Sequence, residues 1–223
     1  MKVKRVCVLG AGGFLGKNLL RGNDWVGVTR QELDLTDQKA VKEYFSRHAY
    51  DVVIHCAAIG GSRLSSDDGW VTHKNIVMFE NVASVYKGKL LYFSSGAALR
   101  GNPPTDPYGL SKWIVERRIQ TIHNAHILRI WGCYGPGELP TRFSAICKAD
   151  GHVFIDEDKY FDFVDVEDVR DIVEDFVDDK RHEKENDLVY PEKLLLSEWA
   201  ERFGATYEVK NKSGLGESYI KIR

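Results

Sequence analysis

The 223-residue sequence has little of what marks the specialised classes of chain. It holds four cysteines, Cys7, Cys56, Cys133 and Cys147, and no two form a CxxC pair. Three sit in or beside apolar, strand-like runs. They read as buried free thiols of a reducing, cytoplasmic compartment, and the spacing argues against a disulfide framework or a zinc site. The seven histidines form no HExxH-type pattern, so no metal is expected. No stretch approaches the ~18 consecutive apolar residues of a membrane span. The basic start MKVKRVCVLGAGG has too short an apolar run for a signal peptide, and a glycine turn follows at once. Neither sign of charge dominates: 31 Lys plus Arg against 33 Asp plus Glu leave a net charge of -2. Such a balance gives no global field toward nucleic acid or an anionic membrane. No internal repeat or low-complexity tract interrupts the chain.

What is present suits a folded domain. The sequence is 43% hydrophobic and 29% charged, enough for a sizeable core in one domain, or one domain plus a small lobe. Short apolar runs alternate with segments of helical period. Strands are expected at 3–9, 25–29, 51–56, 89–93 and 126–131, and helices at 14–20, around Ala40–Phe45, at 71–86 and from Pro107 to Ile122. This alternation predicts βαβ units and a parallel sheet, and the continuous apolar strands suit burial on both faces. The rhythm breaks after Tyr134-Gly135-Pro136-Gly137. Beyond it, 152–156 and 160–164 read as a hairpin around EDK, and Asp165 as the cap of a helix to Val177. DDKRHEKEN reads as a charged loop before a last strand at 188–190. Ser197 reads as the cap of a short helix that Gly204 ends. The segment from Ala205 takes no assignment.

Two patterns carry chemistry. Gly10-Ala11-Gly12-Gly13-Phe14-Leu15-Gly16 follows the first strand and opens the first helix. Glycine there permits a tight turn and close approach of backbone to a pyrophosphate, which the helix N-terminus attracts. The tip of the second strand, Val28-Thr29-Arg30, carries no acid for a ribose hydroxyl. Arg30 in its place favours NADP over NAD. Asp34 and Leu35 follow, beside the expected adenine. In the second pattern, Tyr108 and Lys112 stand four apart at the start of a helix, on one face. A neighbouring ammonium stabilises a phenolate and suits the phenol to acid/base work.

GAGGFLG, LDLTD, DVVIHCAA, YFSSGAALRG, YGLSK, ILRIWGCYGPG and YFDFVDVEDV occur in this order. Together they resemble the extended short-chain dehydrogenase/reductase family of sugar-nucleotide epimerases, dehydratases and reductases. TRQELDLTD…CAAIGG is most similar to the GDP-fucose synthase and dTDP-dehydrorhamnose reductase branches. The resemblance implies a Rossmann-like doubly wound parallel sheet with a small, shortened C-terminal substrate lobe. The expected division is 1–135 with 164–186 for the dinucleotide-binding domain, and 136–163 with 187–223 for the lobe. Carried over by position, Gly10, Gly13, Phe14 and Leu15 meet the pyrophosphate and Asp34 and Leu35 the adenine. Ala57, Ala58 and Ile59 line the nicotinamide side, with Asn75 on the helix behind. Tyr108 is the acid/base and Lys112 its partner at the cofactor. Trp131 closes the pocket or fills core. The helices around 71–86 and 107–122 are those that pair in family homodimers.

The departures are specific. The family's catalytic Ser/Thr falls on Gly96, leaving Ser95 or Ser94 as substitutes, with Ser94 also near the cofactor. Gly132 stands where the family places an Asn for the sugar nucleotide. No acidic pair follows the serines, as a dehydratase would show. The expected activity is NADP-dependent reduction or epimerisation of a nucleotide-linked sugar. The alternative is a catalytically reduced member that binds NAD(P) as a sensor or regulatory protein.

Overall fold

A computed structural model describes residues 3–62 and 64–221. The chain divides into two compact units. One runs to Arg129 and adds Arg170–Asn186; the other comprises Ile130–Val169 and the chain from Asp187. In chain order the elements are β1 (Val6–Leu9), α1 (Phe14–Leu20), β2 (Val26–Val28), α2 (Gln38–Arg47), β3 (Val52–His55), α3 (Gly69–Val85), β4 (Lys89–Ser95), a 3-10 turn at Gly96–Leu99, α4 (Pro107–Ile119) and β5 (Ala125–Ile130). They continue with β6 (Gly132–Tyr134), α5 (Phe143–Asp150), β7 (His152–Glu157), β8 (Phe163–Asp165), α6 (Val166–Val177), β9 (Glu185–Asp187), α7 (Leu196–Arg202) and β10 (Thr206–Asn211).

The first unit is built on a six-stranded sheet of order β2-β1-β3-β4-β5-β9. Cys7 lies opposite Val26 on one side and Val53 on the other, and Val53 opposite Leu90, all in parallel pairs. Parallel strands covered by helices are buried along their whole length, and every residue of β1, β3 and β5 is buried. This is a doubly wound, Rossmann-like α/β sheet. The strand order reverses between β1 and β3, and in such sheets the crevice outside the carboxyl ends of those strands takes ligands. Helix starts follow from local chemistry. The carboxylates of Asp37, Asp68 and Asp106 accept first-turn N–H bonds from Ala40, Trp70 and Gly109, and Pro107 opens α4, where its missing N–H is not needed.

The second unit departs from the expected hairpin. β7 pairs in parallel with β10, Val153 opposite Tyr207, and β8 in parallel with β6, Cys133 opposite Val164. With both strands paired elsewhere, the EDK segment is a link in which Asp158 accepts the Ser197 N–H at 3.1 Å and the Ser197 hydroxyl at 2.6 Å. Ser197 lies inside α7 rather than capping it, its hydroxyl used by Asp158. The cap is Leu195, whose N–H is taken by Glu198 at 2.7 Å. Gly204, at φ +82°, ends the helix as expected. Asp165 does cap α6, accepting the Glu167 N–H at 2.9 Å. The last strand of the six-stranded sheet is β9 rather than 188–190, since the Lys184 carbonyl already accepts from Ile127 at 2.9 Å. The end of the charged run is therefore strand. Phe161, Phe163, Trp199 and Ala200 lie at the centre of the second unit's core.

That core explains one departure from the family pattern. A Cβ at Gly132 would stand 2.7 Å from ring carbons of both Phe161 and Phe163, so no side chain fits. Gly132→Asn is expected to lower stability by about 1–3 kcal/mol through overpacking. Urea denaturation monitored by circular dichroism checks this.

Candidate active site

A cavity of about 330 Å³ opens at the carboxyl ends of β1 and β3. Gly10, Gly12 and Gly13 form one wall, the segment from Thr29 to Thr36 a second, and Cys56 to Ile59 with Lys74 and Met78 a third. The glycines are required by space. At Gly10, φ is +84° and a Cβ would lie 2.7 Å from the Ala57 amide nitrogen; at Gly16 a Cβ would strike the Gly10 carbonyl. Gly12 has nothing within 4 Å of its Cβ position, so the turn is tight on its protein side and open at Gly12. Gly13 begins α1 with no side-chain cap.

The β2 end of the cavity is cationic at its rim. Glu32, the acid nearest the strand tip, is turned back: its carboxylate accepts both the N–H and the hydroxyl of Thr29 at 2.8 Å. Asp34 accepts the N–H and hydroxyl of Thr36 at 2.9 and 2.7 Å, which holds its carboxyl below the usual range, with help from the charges of Arg30 and Lys74. Arg30 lines the cavity, 4.0 Å from Asp34. Lys74 had no mark in the sequence beyond its place one residue before Asn75.

The cavity brings together Gly10, Gly13, Arg30, Asp34, Leu35, Ala57, Ala58 and Ile59. Phe14 and Leu15 open α1, half-buried, and line no wall of it. Asn75 is 3% exposed and acts on the wall from behind. Its amide accepts from the Ile59 N–H at 2.9 Å and donates to the Ile59 carbonyl at 3.0 Å and the Ser111 hydroxyl at 3.1 Å. Ser111 in turn donates to the Tyr108 carbonyl at 2.7 Å. One side chain thus ties the cavity wall to α4. Trp131, 8% exposed, belongs to the second unit.

Tyr108 and Lys112 stand on α4, outside the cavity walls but reached by the loop that forms one of them. Gly60 and Gly61 both have positive φ, and a Cβ at Gly61 would lie 3.0 Å from the Tyr108 ring. The glycine pair lets the loop run from Ile59 across the ring face. The Lys112 ammonium lies 5.6 Å from the Tyr108 ring centre and 4.6 Å from that of Tyr92. It donates to the Phe93 carbonyl at 2.8 Å. Burial is the main cause pushing its pKa down to about 8, opposed by the charge of the Glu116 carboxylate. Both ring nitrogens of nearby His55 lack a hydrogen-bond partner. Burial, then the Lys112 charge, pushes its pKa down to about 4, so it is neutral near pH 7.

The two serines behave differently. The Ser94 hydroxyl donates into Glu116 at 2.5 Å, a use the sequence did not signal. The Ser95 oxygen accepts the Ala97 N–H at 3.2 Å and caps the 3-10 turn. No group of three or more His, Cys, Asp or Glu among the described residues could hold a metal ion.

A sequence profile described as the NAD dependent epimerase/dehydratase family matches residues 6–189. The chain is similar to the UDP-glucose 4-epimerase of Bos taurus, 31% identical in an alignment 133 positions long that covers 51% of this chain and 38% of that protein. The match therefore spans well under half of that relative's length. In fold it is similar to a dTDP-4-dehydrorhamnose reductase from Bacillus anthracis in complex with NADP, with a TM-score of 0.82 at 20% identity, covering 94% of this chain and 86% of that one. A GDP-L-fucose synthetase from Naegleria fowleri bound to NADP gives a TM-score of 0.80 at 14% identity, covering 99% and 84%.

The buried ammonium makes stability depend on pH. Burial holds the Lys112 pKa down at about 8 in the folded chain, against ~10.4 for an exposed lysine. Between these values the unfolded chain holds the extra proton, so stability rises with pH. Relative to Lys112→Met, the wild type is expected to gain on the order of 2 kcal/mol between about pH 7.5 and about pH 10. Urea unfolding of both proteins at the two pH values tests this, and a constant difference would contradict it.

Proposed function

Because the chain belongs to the NAD dependent epimerase/dehydratase family, we propose that it is an NADP-dependent oxidoreductase, a reductase or epimerase, acting on a nucleotide-linked sugar through Tyr108 and Lys112. The observation that carries this reading is the placement of Lys112. A lysine that is 3% exposed, bonded to the Phe93 carbonyl and one turn from a tyrosine against the cavity loop, is costly to bury and suited to tuning a phenol.

The residues present fit a dinucleotide. The turn that is tight at Gly10 and open at Gly12 suits a pyrophosphate, and Asp34, Leu35 and Met78 suit the adenosine end. With Glu32 folded back onto Thr29, Arg30 is the charged group offered at the β2 tip, which favours a 2′-phosphate over a bare ribose. The reductase and synthetase similar in fold were both solved with NADP. When bound, the nicotinamide supplies hydride exchange with a sugar carbon.

The chain's own residues handle the proton. Tyr108 gives a proton to the substrate oxygen in reduction, or removes it in oxidation, and Lys112 stabilises the phenolate between the two states. Ser95, at the end of β4, supplies a second donor to the substrate oxygen, whose developing charge is worth a few kcal/mol of barrier when met by preorganised donors. Ketone reduction suits this set better than dehydration, which needs an acidic pair that the sequence lacks after the serines. A homodimer through α3 and α4 belongs to the same proposal: Trp70 is exposed on α3, and Trp113 and Ile114 are half-buried on α4. No described helix is long and apolar enough to cross a membrane.

Arg30→Ala is expected to weaken NADPH roughly tenfold while leaving NADH nearly unchanged, read by quenching of tryptophan fluorescence. Tyr108→Phe is expected to lower turnover of a dTDP-linked 4-keto sugar about 100-fold or more with NADPH binding retained. Unaltered turnover in that variant would sink the mechanism. NADPH binding with no turnover in the wild type would favour the sensor reading.

A further inference from the structure

Glu116 is fully buried and carries a charge that the mechanism above leaves unused. Its carboxylate accepts two bonds from the Arg129 guanidinium, each of 2.8 Å, and a third from the Ser94 hydroxyl. Arg129 is itself 4% exposed and also pairs with Glu185. Every partner a buried carboxylate needs is therefore supplied, and its direction is set.

Its place on α4 is the informative part. Tyr108, Lys112 and Glu116 stand at i, i+4 and i+8, a single stripe along the helix. That stripe meets β4 at two successive residues: Lys112 bonds the Phe93 carbonyl and Glu116 the Ser94 hydroxyl. Ser95 is the next residue along the strand. The groups facing Lys112 are His55 and Cys56 from the end of β3, Tyr92 from β4, and Tyr108 and Glu116 from its own helix. His55 is neutral, and burial pushes the Cys56 thiol far up so that it too stays neutral. Glu116 is the anion among them, with the Arg129 cation on its far side on β5.

Resting on the reading that Tyr108 and Lys112 form the reactive pair, we propose that Glu116 is their positioning residue. Aimed by Arg129 and Ser94, its carboxylate keeps the Lys112 ammonium protonated and locks β4 to α4, so that Ser95, Tyr108 and Lys112 hold one geometry. A merely structural ion pair would serve stability alone, and buried pairs of that kind are commonly replaced by apolar side chains with little loss.

The test follows the charge state of Lys112 itself. The protein is labelled with carbon-13 at the lysine ε-carbons and titrated by NMR, and the Lys112 signal is assigned by its disappearance in Lys112→Arg. In Glu116→Gln the Lys112 midpoint is expected to fall by on the order of one pH unit. Should that variant not fold, the Glu116→Leu, Arg129→Met pair fills the space with apolar groups and is read in the same way. An unchanged midpoint in a folded variant overturns the proposal. A parallel measurement follows turnover of a dTDP-linked 4-keto sugar with NADPH. The alkaline limb of kcat/KM is expected to move down with the NMR midpoint while the KM for the sugar nucleotide holds. If the midpoint moves but the wild type neither binds NADPH nor turns over, the enzymatic reading fails and the electrostatic role of Glu116 stands. If turnover is present and neither midpoint nor limb moves, the enzymatic reading survives and the proposal falls.

Discussion

An ammonium group sits 3% exposed beneath α4, and much of the first unit's polar chemistry can be understood as its accommodation. Taking a charge out of water costs several kcal/mol unless other groups replace the solvent. Around Lys112 the replacements are a carbonyl at 2.8 Å, the face of Tyr92 at 4.6 Å and the Glu116 carboxylate one turn along the helix. What must not be there is a second cation, and His55 meets that condition by staying neutral. A lysine on the surface would need none of this. Its burial beside a tyrosine is the feature on which the proposed acid/base role rests.

The cavity answers a different constraint. At Gly10 and Gly16 the first turn presses so closely on Cys56-Ala57, just past β3, and on itself that side chains are excluded, whereas Gly12 faces open space. Asn75 then couples the cavity wall to α4 through Ile59, Ser111 and the Tyr108 backbone. Ile59 is thereby linked by hydrogen bonds to the helix that carries Tyr108, within one compact unit.

How much of this could be read beforehand depends on whether the cause is local. The limits of α1, Phe14–Leu20, followed from a glycine turn and an apolar stripe, and the start of α4 followed from Pro107. The Tyr108–Lys112 spacing was equally visible, since helical period is a property of neighbouring residues. The pairing of β7 with β10 was not visible, because β10 comes from a segment about fifty residues on, whose exposed, polar-rich strand carries almost no hydrophobic alternation. Nor did Ser94 announce its partner: Glu116 is adjacent only after β4 and α4 have packed. Lys74 is a further case, an ordinary helix lysine in sequence that lines the cavity because α3 passes the end of β3.

The fate of the two serines bears most directly on chemistry. Along a strand successive side chains alternate in direction, so Tyr92 and Ser94 share the face that meets α4, and position 96 would return to it. That position is Gly96, and the hydroxyl the family pattern would set beside Tyr108 is missing there. Ser94 faces α4 but spends its proton on Glu116, while Ser95 ends β4 and caps the 3-10 turn, its oxygen accepting the Ala97 N–H. On the proposed reading, Tyr108 therefore carries the proton transfer with weaker assistance than a full serine–tyrosine pair would give. A reaction that moves a single proton to one carbonyl oxygen tolerates this loss, whereas one that must also activate a carbon–hydrogen bond and expel a hydroxyl does not. The absence at Gly96 and the commitment of Ser94 thus both bear on the choice of reaction, and both favour simple carbonyl reduction over elimination.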